Sequence, residues 1–178
     1  LEIGEVSDQK FVSSIIQKYK CRGVLHFAGS IIVSESVINP LKYYENNSVV
    51  SRSLMECCLA EGVNNFVFSS TAAVYGNPTR LPITEDAKLV PVNPYGSSKL
   101  ITEWMLRDTS VVTDLRYAAL RYFNVAGADL DRRSGEVAPA PSHLIHIASE
   151  LVSGRRSEMS IYGDDYDTPD GTCIRDYI

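Results

Sequence analysis

The chain has no apolar run long enough to span a bilayer, and its first residues, Leu1-Glu2-Ile3-Gly4-Glu5, lack the basic-then-apolar pattern of an export signal. It also lacks an excess of positive charge. With 17 basic and 22 acidic residues the net charge is −5, so a polyanion partner is not expected and no nucleic-acid role is assigned. The four cysteines, Cys21, Cys57, Cys58 and Cys173, contain no C-x-x-C and no zinc-like Cys/His spacing. Reduced, mostly buried thiols of a cytoplasmic protein are the expectation. No G-x-x-G-x-x-G run occurs, and position 1 is leucine, not methionine. What remains is an ordinary globular composition, 44% hydrophobic and 22% charged, at a length that suits one domain.

Two short apolar runs stand out, Gly23–Gly29 and Asn65–Ser70. They lack polar alternation, as parallel strands buried on both faces do. Tyr117–Phe123 is a third candidate. Helical patterns fall between them. Asp8 is placed to N-cap a helix to about Lys18, with Phe11, Ile15 and Ile16 inward. A second helix is expected over Asn47–Glu61, stopped by Gly62, and a third over Tyr95–Arg107 after Pro94. Alternation of this kind predicts an α/β protein with a parallel sheet and right-handed crossovers. Beyond Asn124 the pattern changes. Residues 127–141 read as a loop, His143–Val152 as a helix, and Ser160-Ile161-Tyr162 as a short strand before an acidic turn. The expected division is therefore 1–126 and 127–178, the latter starting a smaller α+β lobe.

Each strand candidate ends in small or polar residues: Phe27-Ala28-Gly29, Ser69-Ser70-Thr71 and Asn124. The carboxyl ends of parallel strands line the ligand crevice of an open sheet. Loops also begin with such residues, but three in succession favour a site.

Tyr95 and Lys99 lie four apart, so a helix would put them on one face. Forming a phenolate at pH 7 costs about 4 kcal/mol for an unperturbed tyrosine. A fixed cation beside it lowers that cost and makes a general base. By itself the pair is better read as a surface contact on a helix. Thr71, at the end of the preceding strand, adds a hydroxyl able to bond the same substrate oxygen. Thr71, Tyr95 and Lys99 together form an alcohol-oxidising triad.

With these residues in place, five ordered motifs carry a family resemblance. They are Gly23-Val24-Leu25-His26-Phe27-Ala28-Gly29, Ser69-Ser70-Thr71-Ala72-Ala73-Val74-Tyr75-Gly76, Pro94-Tyr95-Gly96-Ser97-Ser98-Lys99, Arg121-Tyr122-Phe123-Asn124 and Asp170-Gly171-Thr172-Cys173-Ile174-Arg175-Asp176-Tyr177-Ile178. The chain resembles the UDP-glucose 4-epimerases, a family of extended short-chain dehydrogenases/reductases. The resemblance runs essentially end to end, and Asp170–Ile178 is its most diagnostic segment.

The resemblance implies a Rossmann-type doubly wound sheet that lacks its first βαβ units here, because the family's glycine-rich fingerprint would precede Leu1. It implies NAD as cofactor and C4 inversion of a UDP-hexose through a transient 4-keto sugar. Tyr95 would take the 4-hydroxyl proton, with Thr71 where the family has Ser or Thr. Glu5, Val6, Phe27, Ala28, Gly29, Asn47, Ser69, Tyr95, Lys99 and Phe123 would face the cofactor. Thr71, Tyr95, Asn124, His143, Ile161, Tyr162 and Arg175 would face the substrate, with Tyr162 on uracil and Arg175 on the diphosphate. The resemblance also implies a homodimer through the helices 47–61 and 95–107. The isolated segment is expected to be inactive, with an open sheet edge and half a cofactor site.

Other readings remain beside these. His26, inside an apolar strand, is expected to be a satisfied core histidine. Asp164, Asp165, Asp167 and Asp170 look metal-like, but Pro169 stands where a calcium ligand belongs and no closing glutamate follows, so no metal is assigned. Among enzyme rivals, a 4,6-dehydratase needs an acid and a base just after the strand-end hydroxyl, where this chain has Ala72 and Ala73. Epimerases of N-acetylated, uronic or pentose sugars stay open, as does a non-catalytic dinucleotide-binding regulator. Ile31 stands where well-known family members carry a lysine close to the cofactor, so one phosphate or ribose contact is not expected here, while the chemistry is unaffected.

Overall fold

In a computed structural model that describes residues 1–137 and 143–178, the chain divides into two units, Leu1–Arg121 and Tyr122–Ile178. The sequence pattern had put the division at 126/127.

The first unit is built on three parallel strands, β1 (Val24–His26), β2 (Asn65–Ser69) and β3 (Arg116–Leu120), in the order β1-β2-β3. Val24 pairs with Phe66 and Phe66 with Tyr117; His26 pairs with Phe68 and Phe68 with Ala119. These rows share one face because side chains alternate along a strand. On that face Phe66, Phe68 and His26 are buried. The neighbouring row, Leu25, Val67 and Ala118, lies on the other face, and Leu25 is 69% exposed. The expectation of strands buried on both faces is therefore corrected for the described residues. The apolar runs are present, but only one face is well covered. The architecture is a partial Rossmann-type parallel sheet.

Helix α1 (Gln9–Tyr19) starts where Asp8 accepts the Phe11 N–H at 3.0 Å. A helical run then leads from β1 to β2: α2 (Val33–Ile38), α3 (Pro40–Tyr43), a π-helical turn (Tyr44–Val49) and α4 (Val50–Ala60). The sequence pattern had started this run only at Asn47. Adjacent Asn46 and Asn47 obscured it, since asparagine competes for backbone hydrogen bonds and is a poor helix former. Leu54, Met55, Cys57 and Cys58 of α4 pack with Ile16, Phe66, Phe68 and Leu106 into the core. Burial holds the Cys58 thiol up to about 12, so it is an inert core group.

After β2, a single 3₁₀ turn (Ala72–Tyr75) leads toward α5 (Pro94–Val112). Asn93 caps α5 by accepting the Gly96 N–H at 2.8 Å, and Pro94 occupies its first turn. The helix runs past the Arg107 limit read from the sequence, into the exposed residues Val111 and Val112.

In the second unit, α6 (Leu144–Val152) begins after His143. Asn124 and Tyr177 form a parallel bridge. The short strand read at residues 160–162 is not formed, and Ile161 and Tyr162 lie exposed. Three apolar-leaning residues do not hold extended pairing without a neighbouring strand.

Candidate active site

Lys99 organises the site. It sits on α5, one turn after Tyr95, and is 2% exposed. Its ammonium donates to the Ser69 carbonyl at the end of β2 at 3.0 Å and lies 5.0 Å from the Phe68 ring centre. Burial pulls its pKa down from the ordinary lysine value to about 8. It is still a cation at neutral pH, held in a poorly solvated place beside the strand ends.

The end of β1 meets the same cation. Gly29 adopts φ 155°, and a side chain there would put Cβ 2.8 Å from Asn47 Oδ1 and 3.5 Å from Lys99 Nζ. Only glycine fits this approach. Asn47 is buried in the π-helical turn and works like a short piece of strand. Its Oδ1 accepts the Ser30 N–H at 2.8 Å, and its Nδ2 donates to the Ser30 carbonyl and the Ser98 hydroxyl, both at 3.0 Å. The Asn47 carbonyl accepts from Ser51 Oγ at 2.6 Å and Thr102 Oγ1 at 2.9 Å. Asn47 thereby fixes the loop after β1, leaving Phe27 and Ala28 exposed beside it. Tyr43 fixes the far end of that loop by accepting the Ile32 N–H at 3.0 Å.

Thr71 is nearly buried at the start of the 3₁₀ turn, where Oγ1 accepts the Ala73 N–H at 3.2 Å. This bond fixes the side-chain rotamer, so toward a ligand the hydroxyl acts through its own proton. The turn and α5 pack without clearance: a Cβ on Gly96 would stand 2.8 Å from the Ala73 carbonyl. Tyr95, half-buried next to Gly96, is thus carried on a helix start pressed against the Thr71 turn. Its ring meets Tyr43 edge to face, with centroids 6.4 Å apart. The first unit therefore gathers Gly29, Asn47, Ser69 and Lys99 directly, and joins Thr71 and Tyr95 through the packing of Gly96 on Ala73.

His26 is a core residue, as its apolar surroundings imply. It is 3% exposed, lies between the rings of Phe66 and Phe68, and has Nε2 2.7 Å from Ser51 Oγ. Burial, helped by the Lys99 charge, lowers its pKa to about 4. The imidazole is neutral. Because Ser51 spends its proton on the Asn47 carbonyl, Nε2 is the donor nitrogen.

Among the remaining sequence-derived residues, Glu5 is exposed and Val6 packs against the core of the first unit. In the second unit Phe123 and Asn124 are half-buried, while Ile161, Tyr162 and Arg175 are exposed. Asn124 donates Nδ2–H to the Asp176 carbonyl at 2.8 Å. His143 lines a cavity of about 480 Å³ with Val125, Gly127, Glu136 and His146. Among the described residues, no group of three or more His, Cys, Asp or Glu side chains is placed to hold a metal ion.

Ser30, Tyr43 and Ser98 hold the loop after β1 and the Asn47 turn in place, and the sequence motifs assign none of them a role; Glu103, on the same helix as Lys99, pairs with Arg121. Glu103 carried a readable signal: Tyr95, Lys99 and Glu103 follow at successive four-residue steps along one helix face.

Known proteins match this geometry. A family model described as GDP-mannose 4,6 dehydratase matches residues 1–178. The UDP-glucose 4-epimerase of Azospirillum brasilense is 53% identical over 175 residues, 98% of this chain and 50% of that protein. A UDP-glucose 4-epimerase from Bifidobacterium longum in complex with NAD+ and UDP superposes with a TM-score of 0.93 at 40% identity, over 99% of this chain and 54% of that one. The UDP-Glc/GlcNAc 4-epimerase of Campylobacter jejuni superposes with a TM-score of 0.76 at 49% identity, over 98% and 54%. The chain thus spans about half the length of the relatives it matches. Matched along its whole length, it belongs to the family of that model, within the extended short-chain dehydrogenases/reductases, the same group to which its motifs pointed.

Proposed function

We propose that the intact native protein is an NAD-dependent isomerase that inverts C4 of a UDP-hexose, interconverting UDP-glucose and UDP-galactose through a transient 4-keto sugar. The observation that carries this reading is the buried Lys99 ammonium, one helical turn from Tyr95 and hydrogen-bonded to the end of β2. The residues present suit the cofactor: the Lys99 ammonium spends one N–H on the Ser69 carbonyl and carries two further donors beside the Gly29 backbone. Bound NAD would supply reversible hydride acceptance at the sugar carbon. Glu5, Val6, Asn47, Tyr95 and Phe123 complete the proposed cofactor set.

In this reading Tyr95 accepts the 4-hydroxyl proton and returns it after the sugar has turned. Thr71 donates its hydroxyl proton to the same sugar oxygen and holds it toward Tyr95. Lys99 supplies the positive charge that makes the phenolate accessible near neutrality. Asn124, His143, Ile161, Tyr162 and Arg175 are proposed to take the nucleotide and sugar.

Dehydration, which the name of the family model suggests, is disfavoured by Ala72 and Ala73, neither of which can move a proton. A non-catalytic regulator is disfavoured because Tyr95 and Lys99 are both kept. The likeness to a UDP-Glc/GlcNAc 4-epimerase favours an N-acetylated hexose as the second substrate to test. The exposed Val49 and Trp104, on the proposed pairing helices, support a homodimer. Four unpaired cysteines support a reducing, cytoplasmic location, where galactose metabolism would use this reaction. The segment 1–178 alone is proposed to be inactive.

The test is to mix the intact protein separately with UDP-glucose and UDP-N-acetylglucosamine, without added NAD, and assay the C4 epimers. Turnover of at least one is expected, and Tyr95→Phe should lower its rate by about 10²–10⁴-fold. No turnover of either sugar would sink the reading.

A further inference from the structure

Near the end of β2 lies an ion pair between a buried carboxylate and a partly buried guanidinium, which the proposed chemistry does not use. Glu103, 5% exposed on α5, is gripped by Arg121, the residue after β3. Arg121 Nη2 stands 2.6 Å from Glu103 Oε2, and Nε lies 3.1 Å from both carboxylate oxygens. Arg121 Nη1 also donates to the Tyr75 hydroxyl and to the Glu85 carbonyl, each at 3.1 Å, and the guanidinium lies over the Tyr75 ring. From the other side, the Ser70 hydroxyl donates a short hydrogen bond to Glu103 Oε1.

One pair thus ties together the end of β2 through Ser70, the 3₁₀ turn through Tyr75, the loop at Glu85, α5 through Glu103 and the end of β3 through Arg121. Two of these tie points adjoin the reactive groups. Ser70 is bonded in sequence to Thr71. Glu103 follows Lys99 by one helical turn and Tyr95 by two. Stability is a weak account of such a pair, because a buried ion pair is often no more stabilising than a hydrophobic replacement of equal volume. What the fork does provide is geometry, since two parallel bonds fix distance and angle together.

We infer that Glu103 and Arg121 are positioning residues that set the spacing between the Thr71 hydroxyl and the Tyr95 phenol by clamping the end of β2 to α5. The inference rests on the reading of Thr71, Tyr95 and Lys99 as the reacting set. Neither Glu103 nor Arg121 touches the sugar; each acts through the strand and the helix it holds. Misplacing reacting groups by about 1 Å costs about 10²-fold in rate, so the pair should show in kcat and not in substrate binding.

The experiment uses the intact native protein and whichever UDP-sugar it turns over. Ser70→Ala, Glu103→Gln, their combination and Tyr95→Phe are compared for kcat, KM and thermal midpoint. Ser70→Ala is expected to lower kcat by about tenfold, the worth of one hydrogen bond to a charged group. Its KM should barely change, and its midpoint should fall by a few degrees, because a buried carboxylate loses one donor. Glu103→Gln is expected to lower kcat by about 30- to 100-fold. The double variant should be no slower than Glu103→Gln, because the serine acts through the carboxylate. Wild-type kcat in Ser70→Ala, or losses that simply multiply in the double variant, would overturn the inference even if Glu103→Gln fails to fold. An inactive Tyr95→Phe beside normal kcat in the other variants would overturn the positioning role alone. Full activity in Tyr95→Phe would overturn the catalytic reading and the positioning role with it.

Discussion

The two units hold their candidate residues in opposite ways. In Leu1–Arg121 the polar groups of the site are buried and multiply bonded: Asn47 is 2% exposed and both atoms of its amide are engaged, and Lys99 is buried to the same degree. In Tyr122–Ile178 Phe123 and Asn124 are half-buried, but the candidates beyond them stand open: Tyr162 is 85% exposed, Ile161 72%, and the exposed Arg175 donates to the neighbouring Ile174 carbonyl. Buried polar groups demand fixed partners, so the first unit has one arrangement for its chemistry. Exposed groups gain their order from what binds them. The contrast predicts that substitutions in the first unit act on kcat and on stability, whereas those in the second act on KM.

The largest break between the two would come at Lys99. Its pKa is near 8 in the fold and near the ordinary lysine value in the unfolded chain. The folded state therefore binds the proton more weakly, and charging Lys99 costs stability. The penalty is full below about pH 8 and fades as pH rises toward 10.5. Lys99→Met is expected to lower kcat by about 10²-fold or more, by removing the charge that supports the Tyr95 phenolate. At the same time it should raise unfolding free energy at pH 7 by about 1–2 kcal/mol, after the loss of the bond to Ser69 is counted. In the unsubstituted protein, activity should fall as pH rises through about 8 and the ammonium is lost. A pH-rate profile and denaturant titrations check both halves. A variant that lost stability along with activity would contradict the desolvated-cation account.

A second effect, confined to stability, comes from His26. Its folded pKa of about 4 lies below the ordinary 6.5, so the unfolded chain takes up the proton first as pH falls. The stability of the neutral, buried imidazole is complete above about pH 6.5 and is lost between there and about pH 4. The loss should approach about 3 kcal/mol. His26→Gln keeps a donor toward Ser51 but cannot titrate, so the acid limb attributable to this site should vanish from a plot of unfolding free energy against pH. An unchanged limb would show that other groups carry it.

Legibility in the sequence divides along the same line. The strands, the Asp8 cap and the Tyr95–Lys99 step were readable because each is local: a short apolar run, one capping side chain, one helical spacing. The roles of Asn47 and Glu103 were not, because what they do depends on partners 17, 51 and 18 residues away, at Ser30, Ser98 and Arg121. The π-helical turn escaped for a related reason. Nothing in Tyr44–Val49 announces it, and its place is supported by the Ser51 and Thr102 hydroxyls on the Asn47 carbonyl. The strand expected at Ser160–Tyr162 does not form, because propensity does not hold a strand without a pairing partner.

In the second unit the expected effect is on binding. Arg175→Ala should raise KM for the UDP-sugar by about tenfold, the loss of one charge-assisted contact, with kcat altered less than about twofold. The thermal midpoint should not move, since the side chain is exposed. A fall in kcat with KM unchanged would place Arg175 among the groups that act on the reacting atoms and would blur the division between the units.

The smallest expected effect tests whether the turns of the second unit matter as structure at all. Asp170 Oδ1 accepts both the Thr172 N–H at 3.0 Å and the Thr172 hydroxyl at 2.8 Å. These bonds, the backbone one first, hold its carboxyl below the usual aspartate range. The contribution is therefore present at neutral pH and lost as pH falls through the folded pKa. Beside it, Gly171 has φ 76°, and a Cβ there would collide with the Asp164 carbonyl, so the turn is already closed by its backbone. Thr168 Oγ1 donates to the Thr172 carbonyl at 2.6 Å and closes it again. With that redundancy, Asp170→Asn should shift the thermal midpoint by less than about 2 °C, because the amide oxygen still accepts from Thr172 and the site is solvated. KM should change by less than about twofold, far below the effect of Arg175→Ala. A large rise in KM from this exposed, conservative change would mean that the turn is ordered to present Arg175, and that the second unit is as preset for its ligand as the first is for its chemistry.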